Sequence, residues 1–176
     1  MIATLWLVLS LAGGASSSPW LGRRVVVYDY TSPEWRLLIK TAVNQFNAVL
    51  PKSAPRFAYQ SMRHKSCRDV RPRRGISVCM DADENFDDPF MTAGTSWELG
   101  SRGYSRSLVR IRTSAEPDSR VACHEMAHAI LGIGEGWTLV DGRMVFPYPD
   151  QSCVWGELTS PGSFDVEYAR RKYSRR

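Results

Sequence analysis

The chain has 176 residues, of which 43% are hydrophobic and 23% are charged, and its formal net charge at pH 7 is +5. This composition is that of an ordinary globular protein and excludes a largely disordered or fibrous chain; the length suits one domain rather than two. Basic stretches at 71–74 and 170–176 have no accompanying nucleic-acid recognition motif, so we expect solvated surface there and no nucleic-acid partner. A negatively charged substrate or cell surface would be equally compatible with them.

The N-terminal segment has the pattern of a targeting sequence. Residues 2–12 are predominantly apolar, and small or polar residues follow as far as Ser18. The run is shorter than the roughly 20 apolar residues that a membrane-spanning helix needs, whereas it fits the core and cleavage region of a secretory signal peptide. We therefore predict a signal peptide at 1–18, a secreted domain at 19–176 and no stable membrane association. Because no Lys or Arg precedes the apolar core, a buried N-terminal strand is the alternative.

Strand and helix patterns follow along one continuous unit. Residues 24–30 are mostly β-branched or aromatic and predict a strand, and a helix is predicted from the Pro33–Glu34 start to the stop at Pro51. Further short strands are predicted at 56–62, 76–80, 92–98 and 107–112, and further helices at 118–131 and 164–173. No internal repeat or linker interrupts this order, which indicates an α+β fold.

The four cysteines are Cys67, Cys79, Cys123 and Cys153, and they include no C-x-x-C pair, so a zinc ribbon is not indicated. In an oxidising compartment they would form two disulfides, with three possible connectivities. Cys67 and Cys79 flank a short basic turn, and closing this loop costs little entropy, so we predict the pairs Cys67–Cys79 and Cys123–Cys153. Four free thiols in a cytosolic protein are the alternative.

The stretch C-H-E-M-A-H-A-I-L-G-I-G-E-G at 123–136 contains two of the three histidines of the chain. On a helix, His124 and His128 lie on one face, one turn apart, and can present two imidazole nitrogens to one ion. Glu125 lies about 100° round the helix from His124 and can reach a water on that ion. This H-E-x-x-H arrangement predicts Zn²⁺ held by His124 and His128, with Glu125 as the general base. Two incidental histidines on a helix are the alternative.

A catalytic zinc site needs a third protein ligand and an open fourth position. The helix is expected to end at Gly132, because glycine readily adopts the left-handed conformation of a helix C-terminus. On the segment that returns from this turn, Glu135 is the nearest metal-binding side chain, and we predict it as the third ligand. Three later carboxylates remain open as competitors: Asp141, Glu157 and Glu167.

The order of elements around the H-E-x-x-H helix resembles the metzincin clan of zinc metalloproteases, in the minimal layout of secreted bacterial members. The metzincin pattern is H-E-x-x-H-x-x-G-x-x-H. In H-E-M-A-H-A-I-L-G-I-G-E the Gly and the third ligand are each displaced by one residue, and the third ligand would be Glu135 rather than a His. Residues 151–173 are similar to the metzincin Met-turn and its following helix, but Val154 and Trp155 occupy the place of the Met.

The resemblance implies a zincin-like catalytic domain with a twisted mixed sheet of about five strands, an active-site helix and a C-terminal helix. It further implies a secreted zinc-dependent endopeptidase, expected to be monomeric, whose peptide or protein substrate lies along the sheet edge at 94–98. Two alternatives stay open. One is a gluzincin-type protease whose third ligand is on a later helix, with Glu167 best placed. The other is a secreted binding module in which zinc is structural or absent.

The acidic stretch D-A-D-E-N-F-D-D at 81–88 begins like the calcium-binding loop of an EF-hand. Phe86 stands where that loop requires Gly, and Thr92 stands where it requires a bidentate Glu. We therefore expect a solvated acidic loop here, and a calcium site of another kind is left open.

Overall fold

The computed structural model describes residues 20, 22–71, 73–88, 91–100, 103–134, 138–140, 143–145, 151–154 and 158–173. Its main element is a five-stranded sheet of β1 (Arg24–Asp29), β2 (Arg56–Ser61), β3 (Gly75–Asp81), β4 (Ala93–Gly100) and β5 (Gly103–Arg112). The helices are α1 (Pro33–Val49), α2 (Ser119–Leu131) and α3 (Ser163–Tyr173). This architecture confirms the predicted α+β class with about five strands and three helices, whereas the zincin-like fold stays a prediction, and each of these elements matches a predicted one.

The sheet has the strand order β2-β1-β3-β5-β4. The first four strands in this order run parallel to one another, and β4 pairs antiparallel with β5, so the sheet is mixed as predicted. All seven residues of β3 are buried, as expected for a central strand that is covered on both faces. β4 is the last strand of this sheet, and it lies next to α2.

One face of the sheet packs against the helices and forms the main core. In α1, Pro33 stands in the first turn, where its missing N–H costs nothing. The helix ends at Val49, and its C-cap Leu50 comes directly before Pro51. Its buried residues recur at helical spacing and are Trp35, Ile39, Ala42, Val43 and Phe46. Burying side chains of this size contributes roughly 1.5–3 kcal/mol each for the larger ones. These residues pack with alternate residues of the strands, such as Val25 and Val27 of β1.

The opposite face of the sheet is partly covered by a segment without long regular structure. We call residues 63–74 the basic strap, because they contain six Lys or Arg and one acidic residue. The disulfide Cys67–Cys79 ties the strap to β3, and Tyr30, Val70 and Cys79 form a small second core beneath it. The strap is therefore fixed to the sheet by a covalent bond and by buried contacts.

Some elements were not predicted, and one prediction lies outside the described residues. A two-stranded antiparallel sheet, β6 (Thr138–Val140) and β7 (Arg143–Val145), has strands of three residues, too short to show an alternating pattern. Residues 1–19 lie outside the described part of the chain, so the signal peptide at 1–18 stays a prediction. Within the described part, no helix is long and apolar enough to cross a bilayer.

Candidate metal centre

The helix that carries the H-E-x-x-H residues has well-defined ends. Asp118 is its N-cap and accepts a hydrogen bond from the Arg120 backbone N–H at 2.7 Å. The hydrogen bond and charge of Arg120 lower the pKa of Asp118, which keeps a carboxylate at the positive end of the helix. At the other end, Gly132 has φ 66° and ψ 33°, the left-handed conformation, and its N–H donates to the His128 carbonyl. The helix therefore stops at the glycine that the sequence indicated.

The two histidines of α2 converge through their Nε2 atoms. His124 Nε2 and His128 Nε2 lie 3.0 Å apart. Two imidazole ligands at tetrahedral angles on one zinc ion would be separated by about 3.3 Å, since each Zn–N bond is about 2.05 Å. The observed separation is close to this value. The pair therefore fits the positions of two ligands on a single ion.

The tautomer of His128 also suits a metal ligand. His128 Nδ1 lies 2.5 Å from the Ile133 carbonyl oxygen, which can only accept, so Nδ1 carries the hydrogen. In a neutral imidazole, Nε2 then carries a lone pair, and this nitrogen faces His124 Nε2. Histidine ligands of metals commonly have such an outer partner, which sets the ring orientation. The chain segment after Gly132 supplies that partner here.

Glu125 is buried, and its two carboxylate oxygens have different neighbours. Oε2 accepts a hydrogen bond from Thr95 Oγ1 of β4 at 2.5 Å. Oε1 lies 3.9 Å from His124 Nε2, beyond direct hydrogen-bonding distance but close enough to share a small ligand placed between them. The carboxylate thus spans the space between β4 and the histidine pair, and Thr95 fixes which oxygen faces the histidines.

Two side chains of β4 contact α2 directly. Trp97 donates from Nε1 to the His128 carbonyl at 3.1 Å, and its ring packs edge-on against the His128 ring. Thr95 and Trp97 are two residues apart, so they point to the same side of the strand. Sequence patterns do not reveal these contacts, because they join residues about 30 positions apart. The sequence indicated only that 92–98 is a strand.

A disulfide and a buried carboxylate hold α2 against the turn at 151–154. Cys123 and Cys153 are bonded and both fully buried, so both predicted disulfides are confirmed. Asp165 of α3, also fully buried, accepts hydrogen bonds from Ser152 Oγ, the Cys153 N–H and the Gly162 N–H. These three bonds satisfy the carboxylate and fix the 151–154 turn against α3, so Cys153 holds α2 at the residue before His124.

The core that packs against the turn at 151–154 is apolar, and the turn itself contains no methionine. Val154 is buried in the main core together with Cys153, Met126 and Ile130. Trp155, the other residue at the place of the metzincin Met, lies outside the described residues. Met126, one turn of α2 away from Ile130, contributes a buried thioether to the same core.

The third ligand is not settled by the described residues. Glu135, Asp141 and Glu157 all lie outside them, so Glu135 stays a prediction. Glu167 is described: it is exposed on α3 and pairs with Arg171 at 3.6 Å. The described part of the chain contains no cluster of three or more metal-binding His, Cys, Asp or Glu side chains, so Glu167 does not join the histidines there.

The acidic stretch at 81–88 makes local hydrogen bonds and ion pairs. Asp81 accepts from Asn85 Nδ2 at 2.7 Å and pairs with Arg110 at 3.6 Å. Asp83 accepts from Thr113 Oγ1 and from the Ser114 N–H, and these contacts lower its pKa. The carboxylates therefore tie the end of β3 to the end of β5, and no calcium site is assigned to them.

No known protein family matches the sequence, and no significantly similar chain is found among curated proteins. The metzincin resemblance therefore depends on the H-E-x-x-H helix and on residues 151–173 alone.

Proposed function

We propose that the chain is a zinc-dependent endopeptidase that uses Glu125 as its general base. The observation that carries this proposal is the 3.0 Å approach of His124 Nε2 and His128 Nε2 beside the buried Glu125 carboxylate. Two imidazole nitrogens with a buried carboxylate beside them are the groups that hold a metal ion and act on its bound water. Zn²⁺ suits two nitrogen ligands of this kind. His124, His128 and, by prediction, Glu135 would hold it.

Bound zinc would lower the pKa of a water from about 16 to about 7 and would polarise the scissile carbonyl. The residues of the chain have separate tasks. Glu125 Oε1 accepts a proton from the attacking water and returns it to the leaving amine, because its position 3.9 Å from His124 Nε2 puts it within reach of a water on an ion held by that nitrogen. Thr95 holds Oε2, so Oε1 is the oxygen that faces the reacting groups.

The proposed substrate is a peptide in extended conformation. β4 ends the five-stranded sheet and lies beside α2, so a peptide strand added along it would lie next to the histidine pair. Main-chain hydrogen bonds would provide binding with little dependence on side chains. Trp97 would lie between such a peptide and His128, since its indole contacts His128 directly.

We also propose that the protein is exported. The described part of the chain contains two disulfides, and structural disulfides persist mainly in oxidising compartments. Edman sequencing of protein recovered from the culture medium tests this proposal. A mature N-terminus near residue 19 supports it, and retention of the intact chain inside the cell contradicts it.

A digest of a mixed peptide library tests the peptidase activity. Cleavage is expected with zinc, none with a zinc chelator, and recovery when zinc is added back. The Glu125→Gln variant, prepared in the same way, is the control. If it does not cleave the library, the cleavage by the parent protein does not come from a contaminating protease. Zinc binding without any cleavage by the parent protein would favour a non-catalytic zinc module instead.

The first prediction concerns the histidine pair. We expect His124→Ala to weaken zinc binding by more than the 10- to 100-fold that loss of an outer-shell partner typically costs, because it removes a ligand. His64→Ala is the matched control, because His64 is exposed. Within the described residues, its Nδ1 contacts the Tyr30 carbonyl oxygen and no metal-binding side chain. Competition with a chromogenic chelator measures both constants. Equal affinities in the two variants would contradict the metal assignment.

The second prediction concerns the third ligand. Glu135→Ala is expected to weaken zinc binding strongly, because two histidines alone make an incomplete site. The same competition assay measures the constant, with Glu116→Ala as a control at an exposed position outside α2. If Glu135→Ala binds zinc as tightly as the parent, then Asp141 or Glu157 takes the role. Substituting each of these in turn identifies it.

A further inference from the structure

The basic strap is the most strongly charged segment of the described surface. Its six cationic residues are all exposed and are Arg63, Lys65, Arg68, Arg71, Arg73 and Arg74. With Asp69 as the only acidic residue, the segment has a net charge of +5, equal to that of the whole chain. The other 164 residues together carry no net charge, so the strap accounts for the net positive charge of the chain.

These six cations have no ion-pair partner among the described residues. Four other arginines of the described part do pair with a carboxylate: Arg106 with Glu98, Arg110 with Asp81, Arg120 with Asp118 and Arg171 with Glu167. Arg106 and Arg110 lie on the strap side of β5, because Arg110 is in register with Cys79 and alternate residues share a face. Glu98 and Asp81 therefore neutralise Arg106 and Arg110, whereas no carboxylate of the described residues neutralises the strap cations.

The strap is also held in a fixed shape. The disulfide Cys67–Cys79 joins it to β3, and Val70 is buried in the small core that it covers. The guanidinium of Arg73 stacks on the Tyr28 ring at 5.4 Å from its centroid. Charged groups on a fixed backbone lose less conformational entropy when they bind a ligand, so preorganisation favours a binding role over simple solvation.

A cleft of about 340 Å³ continues the strap at the beginning of β1 and β3. Arg24 and Arg74 contribute cationic side chains to its wall, and Tyr104 and Val26 contribute apolar surface. Its volume lies at the lower end of the range for small-ligand sites. Cations combined with an aromatic wall suit a ring that carries anionic groups.

We propose that the basic strap and this cleft bind a sulfated polysaccharide. Five of the six strap cations are arginines, whose planar guanidinium groups match the oxygens of sulfate and carboxylate in bidentate fashion. A linear polyanion would run along the strap, and one sugar unit would occupy the cleft between Arg24 and Arg74. The strap lies on the opposite face of the sheet from α2, so the proposal does not depend on the zinc chemistry; only the cleft approaches the histidines, since Tyr104 in its wall stacks on Trp97, which contacts His128.

Two other polyanions fit these observations less well. Along the strap itself no Phe, Tyr or Trp is present, so successive bases of a single-stranded nucleic acid would find a stacking partner only in the cleft, at Trp20 and Tyr104. The large hydrophobic side chains that stand exposed in the described part are Leu37 and Met91, and neither belongs to the strap, so it offers no apolar anchor for a membrane surface. The two disulfides point to an oxidising compartment outside the cytosol, which fits an extracellular polysaccharide better than an intracellular nucleic acid.

Titration of a fluorescent heparin fragment at several salt concentrations tests the proposal. The triple variant Arg68→Gln, Arg71→Gln, Arg74→Gln is expected to bind at least about tenfold more weakly, and the slope of log Kd against log salt should fall by about two. The control variant Lys40→Gln, Lys52→Gln, Arg170→Gln removes the same charge from other exposed positions, and we expect it to bind within twofold of the parent. Thermal unfolding of both variants verifies that they fold.

Three outcomes would overturn the proposal. Equal loss of heparin affinity in both triple variants would mean that only the net charge matters. Binding of unsulfated dextran as tightly as heparin would remove the role of the anionic groups. Single-stranded DNA or phosphatidylserine vesicles that bind more tightly than heparin at the same salt concentration would assign the surface to a different partner.

Discussion

Replacing Glu125 by Gln is expected to reduce kcat/KM for peptide hydrolysis by about 10²- to 10⁴-fold while the protein still binds one equivalent of zinc. The amide has the shape of the carboxylate and can still accept the hydrogen bond from Thr95, so the site should keep its geometry. What it lacks is the ability to take a proton from the attacking water. Steady-state kinetics together with the zinc content of the purified variant measure both effects.

The control for this substitution is Glu116→Gln, which makes the same chemical change at an exposed position. It should retain the activity of the parent. Loss of zinc in Glu125→Gln would identify the glutamate as a ligand rather than a base. Unchanged activity would remove Glu125 from the mechanism altogether.

Removal of the Cys123–Cys153 disulfide should lower the free energy of unfolding by about 2–4 kcal/mol. The bond closes a loop with a sequence separation of 30 residues, and both cysteines are fully buried. Replacing both by Ala avoids burying a new polar group. Because Cys123 directly precedes His124, we also expect weaker zinc binding. Denaturant unfolding and the chelator competition assay measure the two effects.

The second disulfide provides the comparison. Cys67–Cys79 closes a loop with a sequence separation of 12 residues and ties the strap to the far face of the sheet. Its replacement by two Ala residues should cost somewhat less stability, since loop entropy grows with the logarithm of loop length. Zinc affinity should not change. If both double variants weakened zinc binding equally, the coupling between Cys123 and the histidine would be refuted.

Much of the fold could be predicted because local sequence patterns decide it. The β-branched residues of β1, the Pro33 start of α1 and the Gly132 end of α2 each act over a few residues, and the described structure has them as predicted. The disulfide pairing was also predictable, because the short loop between Cys67 and Cys79 leaves the other two cysteines to each other. The 3.6-residue period of a helix placed His124 and His128 on one face.

The parts of the site that could not be predicted depend on contacts between distant segments. Nothing in the sequence connects Thr95 with Glu125, or Trp97 with His128, because the pairing of β4 with α2 follows from packing of the whole sheet. The same holds for Asp165, whose three hydrogen bonds reach back to 151–162. An isolated Asp on a predicted helix gives no indication that it will be buried and satisfied.

The most direct measurement for the proposed zinc peptidase is a reconstitution titration. Metal-free protein, prepared with a chelator and then dialysed, is titrated with zinc while the initial rate of peptide cleavage is recorded. We expect the rate to rise linearly up to one equivalent of zinc and then to remain constant, and we expect His124→Ala to stay inactive throughout. A rate that is already at its maximum without zinc, or cleavage that is absent at every zinc concentration, would contradict the proposed function.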